Sequence, residues 1–164
     1  LGANPIAEAM NRLGLCALVF LVASLACTPV QLMTKWTWPA RIRKSLGLIG
    51  FGYATCHFLV YLVLDQELAL GEVTKDVVKR PFITVGFTAW LMLIPLALTS
   101  TAGAVKRLGF VKWKRLHRLA YLIAALGVVH FYWRVKRDHT EPLLYGAVVA
   151  FLLVLRLVNR KKAQ

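Results

Sequence analysis

Leu13–Leu32 runs for twenty residues without a charged side chain, Leu46–Leu64 for nineteen, and Pro81–Ser100 for twenty. Two shorter uncharged runs follow, Leu119–Trp133 and Pro142–Leu155, each flanked by an arginine whose aliphatic stem can extend it. A helix needs about 20 apolar residues to cross a bilayer core, and about 17 is the lower limit. The spacing therefore predicts five membrane-spanning helices, A to E, in an all-α integral membrane bundle. With 59% hydrophobic residues and a mean hydropathy of +0.62, the 164-residue chain is more apolar than an ordinary soluble domain.

The net charge of +14 does not point to nucleic acid, because the basic residues sit at alternate ends of the apolar runs. The A–B connection "QLMTKWTWPARIRK" has four basic residues and no acid, and the C–D connection "TAGAVKRLGFVKWKR" has five and none. The tail from Arg156 adds four more, whereas the B–C connection "DQELALGEVTKDVVKRP" carries four acids against three bases. All seven acidic residues of the chain belong to that second side. The positive-inside rule then predicts an outside start and a cytoplasmic C-terminus. Trp36, Trp38 and Trp113 are expected in an inner aromatic belt, and Tyr132 and Trp133 in an outer one. An odd number of spans with an outside start suits a six-helix protein that lacks its first helix. The opening residues show no signal-peptide pattern.

Cys16, Cys27 and Cys56 lack metal-site spacing and are expected as small packing residues. Pro95 should kink helix C or free a carbonyl there. Gly47, Gly50 and Gly52 suit close helix packing on helix B.

Ionisable groups at membrane depth usually mark function. His139 falls in the outer D–E loop among Arg137, Asp138 and Glu141, where solvated decoration is expected. His57 stands about 16 Å along helix B and His130 about 21 Å along helix D, both counted from the basic side. They share the outer half of the membrane and can face each other; His117, at the basic edge, cannot join them. Two imidazoles alone are a poor zinc set, since zinc takes four donors. They suit the two axial positions of an iron porphyrin, a six-coordinate b-type haem built for electron transfer. Gly50 and Gly127, on the faces of His57 and His130, are the expected clearance for the ring. Interhelical hydrogen bonding is the plainer use of such histidines. A proton relay would call for an Asp or Glu inside the helices, and none is there. At the basic edge, His117 stands among Arg43, Lys44, Arg115 and Arg118. That cluster suits a haem propionate, a quinone or a flavin phosphate, and equally lipid headgroups.

Seven stretches carry a resemblance: "LGANP" at 1–5, "ATCHFLVY" at 54–61, "KRPFITVGF" at 79–87, "LALTST" at 96–101, "WKRLHRLAYL" at 113–122, "VVHFYW" at 128–133 and "EPLLY" at 141–145. In order along the chain, they resemble the MsrQ family, haem-binding membrane subunits of methionine-sulfoxide reductase systems, within the ferric-reductase-like transmembrane superfamily. The resemblance implies one haem-binding transmembrane domain over residues 1–164 in a bacterial inner membrane, with a further family helix before LGANP. It implies haem b, electrons from the quinone pool, and delivery to a periplasmic molybdopterin subunit, MsrP, which reduces methionine sulfoxide. His57 and His130 match the family's haem-ligand positions, and His117 matches its third functional histidine. Arg43 stands where the wider superfamily has another histidine, so a complete second haem is not implied. FMN is also ascribed to the family, but the chain has no Gly-rich phosphate loop to which it can be assigned. On this reading the chain is an electron conduit with no catalytic residues of its own. The alternatives are a small transporter or channel using its histidines as proton or ion ligands, and a ferric-reductase-like metal reductase served by a separate flavin partner.

Overall fold

The computed structural model describes residues 4–161, with side chains through Val158. The first three residues of the LGANP stretch, and the basic residues of the tail beyond Arg156, lie outside the residues whose side chains are described. The described residues form eight α-helices: α1 (Pro5–Thr34), α2 (Trp38–Val60), α3 (Leu70–Lys79), α4 (Pro81–Leu98), α5 (Ala102–Leu108), α6 (Phe110–Leu116), α7 (Leu119–Arg134) and α8 (Thr140–Lys161). A π-helical turn, Tyr61–Asp65, continues α2 past its last α-helical residue.

Local chemistry sets the helix starts. Asn4 caps α1 by accepting from the Ala7 N–H at 3.0 Å, and Pro5 fills the first-turn position where a missing N–H costs nothing. Pro39 and Pro81 open α2 and α4 in the same way. Lys35, at φ 59°, closes α1 in the left-handed conformation. Pro95 sits in the last turn of α4, and the helix ends three residues later at Leu98.

Among the described residues, four helical stretches are long and apolar enough to cross a membrane: Pro5–Thr34, Trp38–Asp65, Pro81–Leu98 and Thr140–Val158. The expected fifth span is not among them: its segment folds as α7, whose 16 residues reach only about 24 Å. It follows directly on α6, the two being separated by a turn at His117 and Arg118. Short helices absent from the sequence expectation fill the connections: α3 between α2 and α4, and α5 and α6 between α4 and α7.

The long helices run antiparallel in two pairs, α1 with α2 and α4 with α7, and α8 lies against α7 and α1. Leu18, Val22 and Leu25 of α1 meet Ala124 of α7 and Val149 of α8 in one buried cluster. Ala89, Leu93 and Leu96 of α4 meet Ile123 of α7 in a second. Among the described residues no polar or charged residue is fully buried. The outward faces are apolar too, as Leu143, Leu144, Phe151, Val154 and Leu157 of α8 show, each exposed by more than half. In water such a surface would aggregate; against acyl chains it is matched. This is a multi-pass membrane protein.

The antiparallel order gives the bundle an acidic end, holding the start of α1, the π-turn, α3 and the α7–α8 loop, and a basic end holding the α1–α2 and α4–α7 connections. Several smaller expectations change. Cys27 is buried, but Cys56 is exposed and does not pack inside the bundle. Trp36 and Trp38 are exposed as belt residues should be, whereas the Trp113 indole turns in and donates to the Thr99 carbonyl at 2.9 Å. His139 is not a solvated decoration: it lies half-buried against the Tyr132 ring at 4.6 Å.

Candidate functional site

His57 comes from α2 and His130 from α7, and the bundle sets their ring centres 6.1 Å apart with planes 84° to one another. Each ring is fixed by a backbone carbonyl of a different helix. His57 Nδ1 lies 2.8 Å from the Met10 oxygen of α1, and His130 Nδ1 lies 2.7 Å from the Phe82 oxygen of α4. A carbonyl oxygen only accepts, so Nδ1 is the donor in both rings, and a neutral ring then keeps its lone pair on Nε2. This is the outer bond that orients imidazoles as metal ligands and raises their basicity.

The two half-sites share a construction the sequence reading missed. Gly14 lies four residues beyond Met10, and Gly86 four residues beyond Phe82, so each glycine stands one turn along the face that offers the carbonyl. A Cβ on Gly14 would meet His57 Nδ1 at 3.2 Å, and one on Gly86 would meet His130 Nδ1 at 2.6 Å. The glycines let each imidazole reach a neighbouring helix backbone. Gly50, the expected clearance on α2, faces elsewhere: its Cβ would meet Leu21 at 3.0 Å, so it serves α1–α2 packing. Gly127, the other expected clearance, does line the cavity between the histidines. The available signal was a glycine at matching depth on the neighbouring helix rather than on the histidine's own.

That cavity is about 370 Å³, within the range of cofactor sites. Its walls are mainly apolar, with Leu18, Leu93, Ile123, Phe87 and Trp90 among them. Polar groups come from the acidic end: Asn11, Asp65, Arg80 and Arg134. Asp65 closes the π-turn eight residues past His57, so a carboxylate does reach this cavity, contrary to the expectation of none in the helical segments. Among the described residues no three His, Cys, Asp or Glu side chains gather as a metal site.

The residues present fit an iron porphyrin. Metal–imidazole bonds of about 2 Å on either side of an iron, with the distance from each nitrogen to its ring centre, place the ring centres about 6 Å apart. Two imidazoles, the carbonyls that hold them and a cavity lined by both are in place, and a porphyrin would supply the remaining donors.

His117 and Arg43 are at the basic end and do not join this pair. His117 ends α6, stacks on Trp113 with ring centres 4.1 Å apart, and has Nε2 3.0 Å from Thr99 Oγ1. Burial pushes this imidazole below its ordinary pKa, and the positive Arg43 adds to the effect. Arg43 Nη1 donates to Thr28 Oγ1 at 3.1 Å, and its carbonyl accepts from Ser24 Oγ at 2.9 Å. Arg43 is thus pinned to α1, close enough to act on His117 through space.

Fold and paired-imidazole site define a class. The family model described as "Ferric reductase like transmembrane component" matches residues 11–128, a stretch that takes in His57 and His117 and ends two residues before His130. Curated relatives are more specific. The chain is 54% identical to the protein-methionine-sulfoxide reductase heme-binding subunit MsrQ of Deinococcus radiodurans, over 96% of this chain and 77% of the relative. It is 50% identical to MsrQ of Herminiimonas arsenicoxydans, over 96% and 73%, and 49% identical to MsrQ of Rhodospirillum rubrum, over 96% and 76%. No solved structure matches the chain. The chain belongs to the MsrQ family of ferric-reductase-like transmembrane proteins.

Proposed function

We propose that the chain is the haem-binding electron-transfer subunit of a protein-methionine-sulfoxide reductase system, with His57 and His130 as the two axial ligands of one b-type haem. The observation that carries this reading is the pair of carbonyl-anchored imidazoles 6.1 Å apart on opposite walls of one cavity. The relatives' name supports it, since they are heme-binding subunits of that reductase. When bound, a six-coordinate haem supplies one-electron redox chemistry with no open iron position for oxygen.

The protein's own part is positional. Met10 and Phe82 hold the Nδ1 protons, so both rings present Nε2 to the cavity. Four helices supply this shell, which limits how far either imidazole can move when the charge at the site changes. The apolar walls keep water away from the pair and favour a neutral environment.

The wider assignment follows from charge and family. The basic end lies on the cytoplasmic face of a bacterial inner membrane, and the C-terminus with it. The histidine pair then sits toward the periplasm, suited to passing electrons to a molybdopterin subunit of the MsrP kind docked there. Reducing equivalents arrive from the quinone pool near His117 and Arg43 at the basic rim. Methionine-sulfoxide chemistry belongs to the partner, and no catalytic residue is assigned in this chain. FMN is given no site here.

The test is spectroscopic. Purified protein should show reduced-minus-oxidised Soret and α bands, with pyridine-haemochrome quantification giving haem per chain. His57→Ala and His130→Ala should each lose those bands. Full haem retention in both variants overturns the ligand assignment, and a colourless wild-type protein favours a transporter or channel instead.

A further inference from the structure

Four residues beyond His130, on the same face of α7, stands Arg134, which lines the cavity between the histidines. It also lines a shallower recess of about 290 Å³ at the acidic end, together with Asn11, Asp138 and Glu141. The guanidinium therefore stands at the threshold between the apolar cavity and the acidic-end surface. It is half-buried, and its hydrogen-bond partner is the neutral side-chain oxygen of Asn11. No carboxylate lies within ion-pair distance of it among the described residues, even though Asp138 and Glu141 share its recess.

The other arginine on the cavity wall is different. Arg80 is held by Asp76 of α3 at 3.3 Å, so its charge is already balanced within the protein. A partly desolvated cation without a counter-charge is costly, and a guanidinium has five N–H donors of which a single amide oxygen takes few. The remaining fork matches a carboxylate, which it can bind through two parallel hydrogen bonds.

The geometry points to Arg134 as a carboxylate-binding residue at the mouth of the cavity, taking a propionate of the porphyrin held by His57 and His130. This rests on the haem reading above and deepens it: Arg134 would set which edge of the ring faces the acidic end. With two histidines on the axis and one arginine at the rim, rotation of the porphyrin about its axis is restricted. Asn11 then serves to hold the guanidinium in place.

The experiment compares haem b with its dimethyl ester, in which both carboxylates are blocked, on the full chain in detergent micelles. Apoprotein is titrated with each and followed by the Soret band. In the wild type, esterification should weaken binding about tenfold or more, the scale of a charge-assisted pair. In Arg134→Gln, haem b should bind about as weakly as the ester does to the wild type, and the ester should lose little further. Arg134→Lys should recover part of the preference for the free acid. Asn11→Asp supplies a carboxylate inside the protein and should compete, lowering haem b affinity with the folded chain intact. Equal loss on esterification in wild type and Arg134→Gln overturns the proposal, as does unchanged haem b affinity in Asn11→Asp. A wild-type protein that binds neither compound with a six-coordinate spectrum sinks the haem reading itself, a separate result from either of these.

Discussion

The two ends of this bundle treat histidine in opposite ways. At the acidic end, His57 and His130 are pinned through Nδ1 to main-chain oxygens of other helices, and both lie on a cavity. At the basic end, His117 bonds a hydroxyl through Nε2 and lies flat on an indole, with a cation near enough to act on it. A main-chain oxygen cannot rotate away, so the acidic end fixes ring direction with little freedom. The Thr99 hydroxyl is a side-chain partner, itself bonded to the Pro95 carbonyl, and it can give up the imidazole to an incoming group without losing that bond. One end is built to hold a fixed donor pair, and the other to exchange partners.

The sharpest way to break this contrast is to remove the rings one at a time. Loss of His57 or His130 should abolish the absorption of the bound haem, whereas His117→Ala should leave the six-coordinate spectrum of the remaining pair. Equal spectral loss in all three variants would mean that the two ends are not separate sites.

The next effect lies within the acidic end. Gly86→Ala would put a methyl 2.6 Å from His130 Nδ1, so the ring or the helix must shift and the Phe82 bond is strained. Overpacking of this kind costs about 1–3 kcal/mol, or roughly five- to 150-fold in cofactor affinity. At Gly14 the corresponding approach is 3.2 Å, which a shift of a few tenths of an ångström relieves. Gly14→Ala should therefore weaken haem binding only a few-fold, by about 1 kcal/mol or less. Soret titrations of both variants would check the order, and a Gly14 variant worse than Gly86 would contradict the shared construction.

How much of this was legible beforehand depends on which geometry was being read. Charge blocks and uncharged runs set the helices, the antiparallel order and the depth of each histidine, because a bilayer imposes length and sign directly on sequence. The stretch "KRPFITVGF" holds Arg80, Phe82 and Gly86, a balanced cation, a carbonyl anchor and a clearance, yet none of these roles shows in the string. The anchor at Phe82 is a main-chain atom, which every residue possesses. Gly50 misled for a related reason: periodicity places residues on the faces of one helix but does not say which neighbour each face meets. The short α7 was misread only in reach, since a turn at His117 and Arg118 separates it from α6 and no composition signal marks that break.

At the basic end the effects are smaller. Thr99 Oγ1 also donates to the Pro95 carbonyl at 2.6 Å, so the hydroxyl ties His117 to the last turn of α4. Thr99→Val removes both bonds and should cost about 1 kcal/mol in thermal or denaturant stability. It should leave haem content unchanged. A large haem loss would show that the two ends are coupled.

The smallest effect is a titration. Burial first, and Arg43 second, hold the His117 pKa below the ordinary imidazole value of about 6.5. Because the folded value is the depressed one, the neutral ring contributes stability above the unfolded pKa. That contribution fades as pH falls through the folded value, where the ring takes up its proton in both states. In Arg43→Gln, the through-space repulsion is gone but burial persists. The His117 midpoint, followed by NMR of selectively labelled histidine, should therefore rise toward the ordinary value without reaching it. A midpoint that does not move would show that Arg43 acts on α1 alone, through Thr28 and Ser24, and has no electrostatic hold on His117.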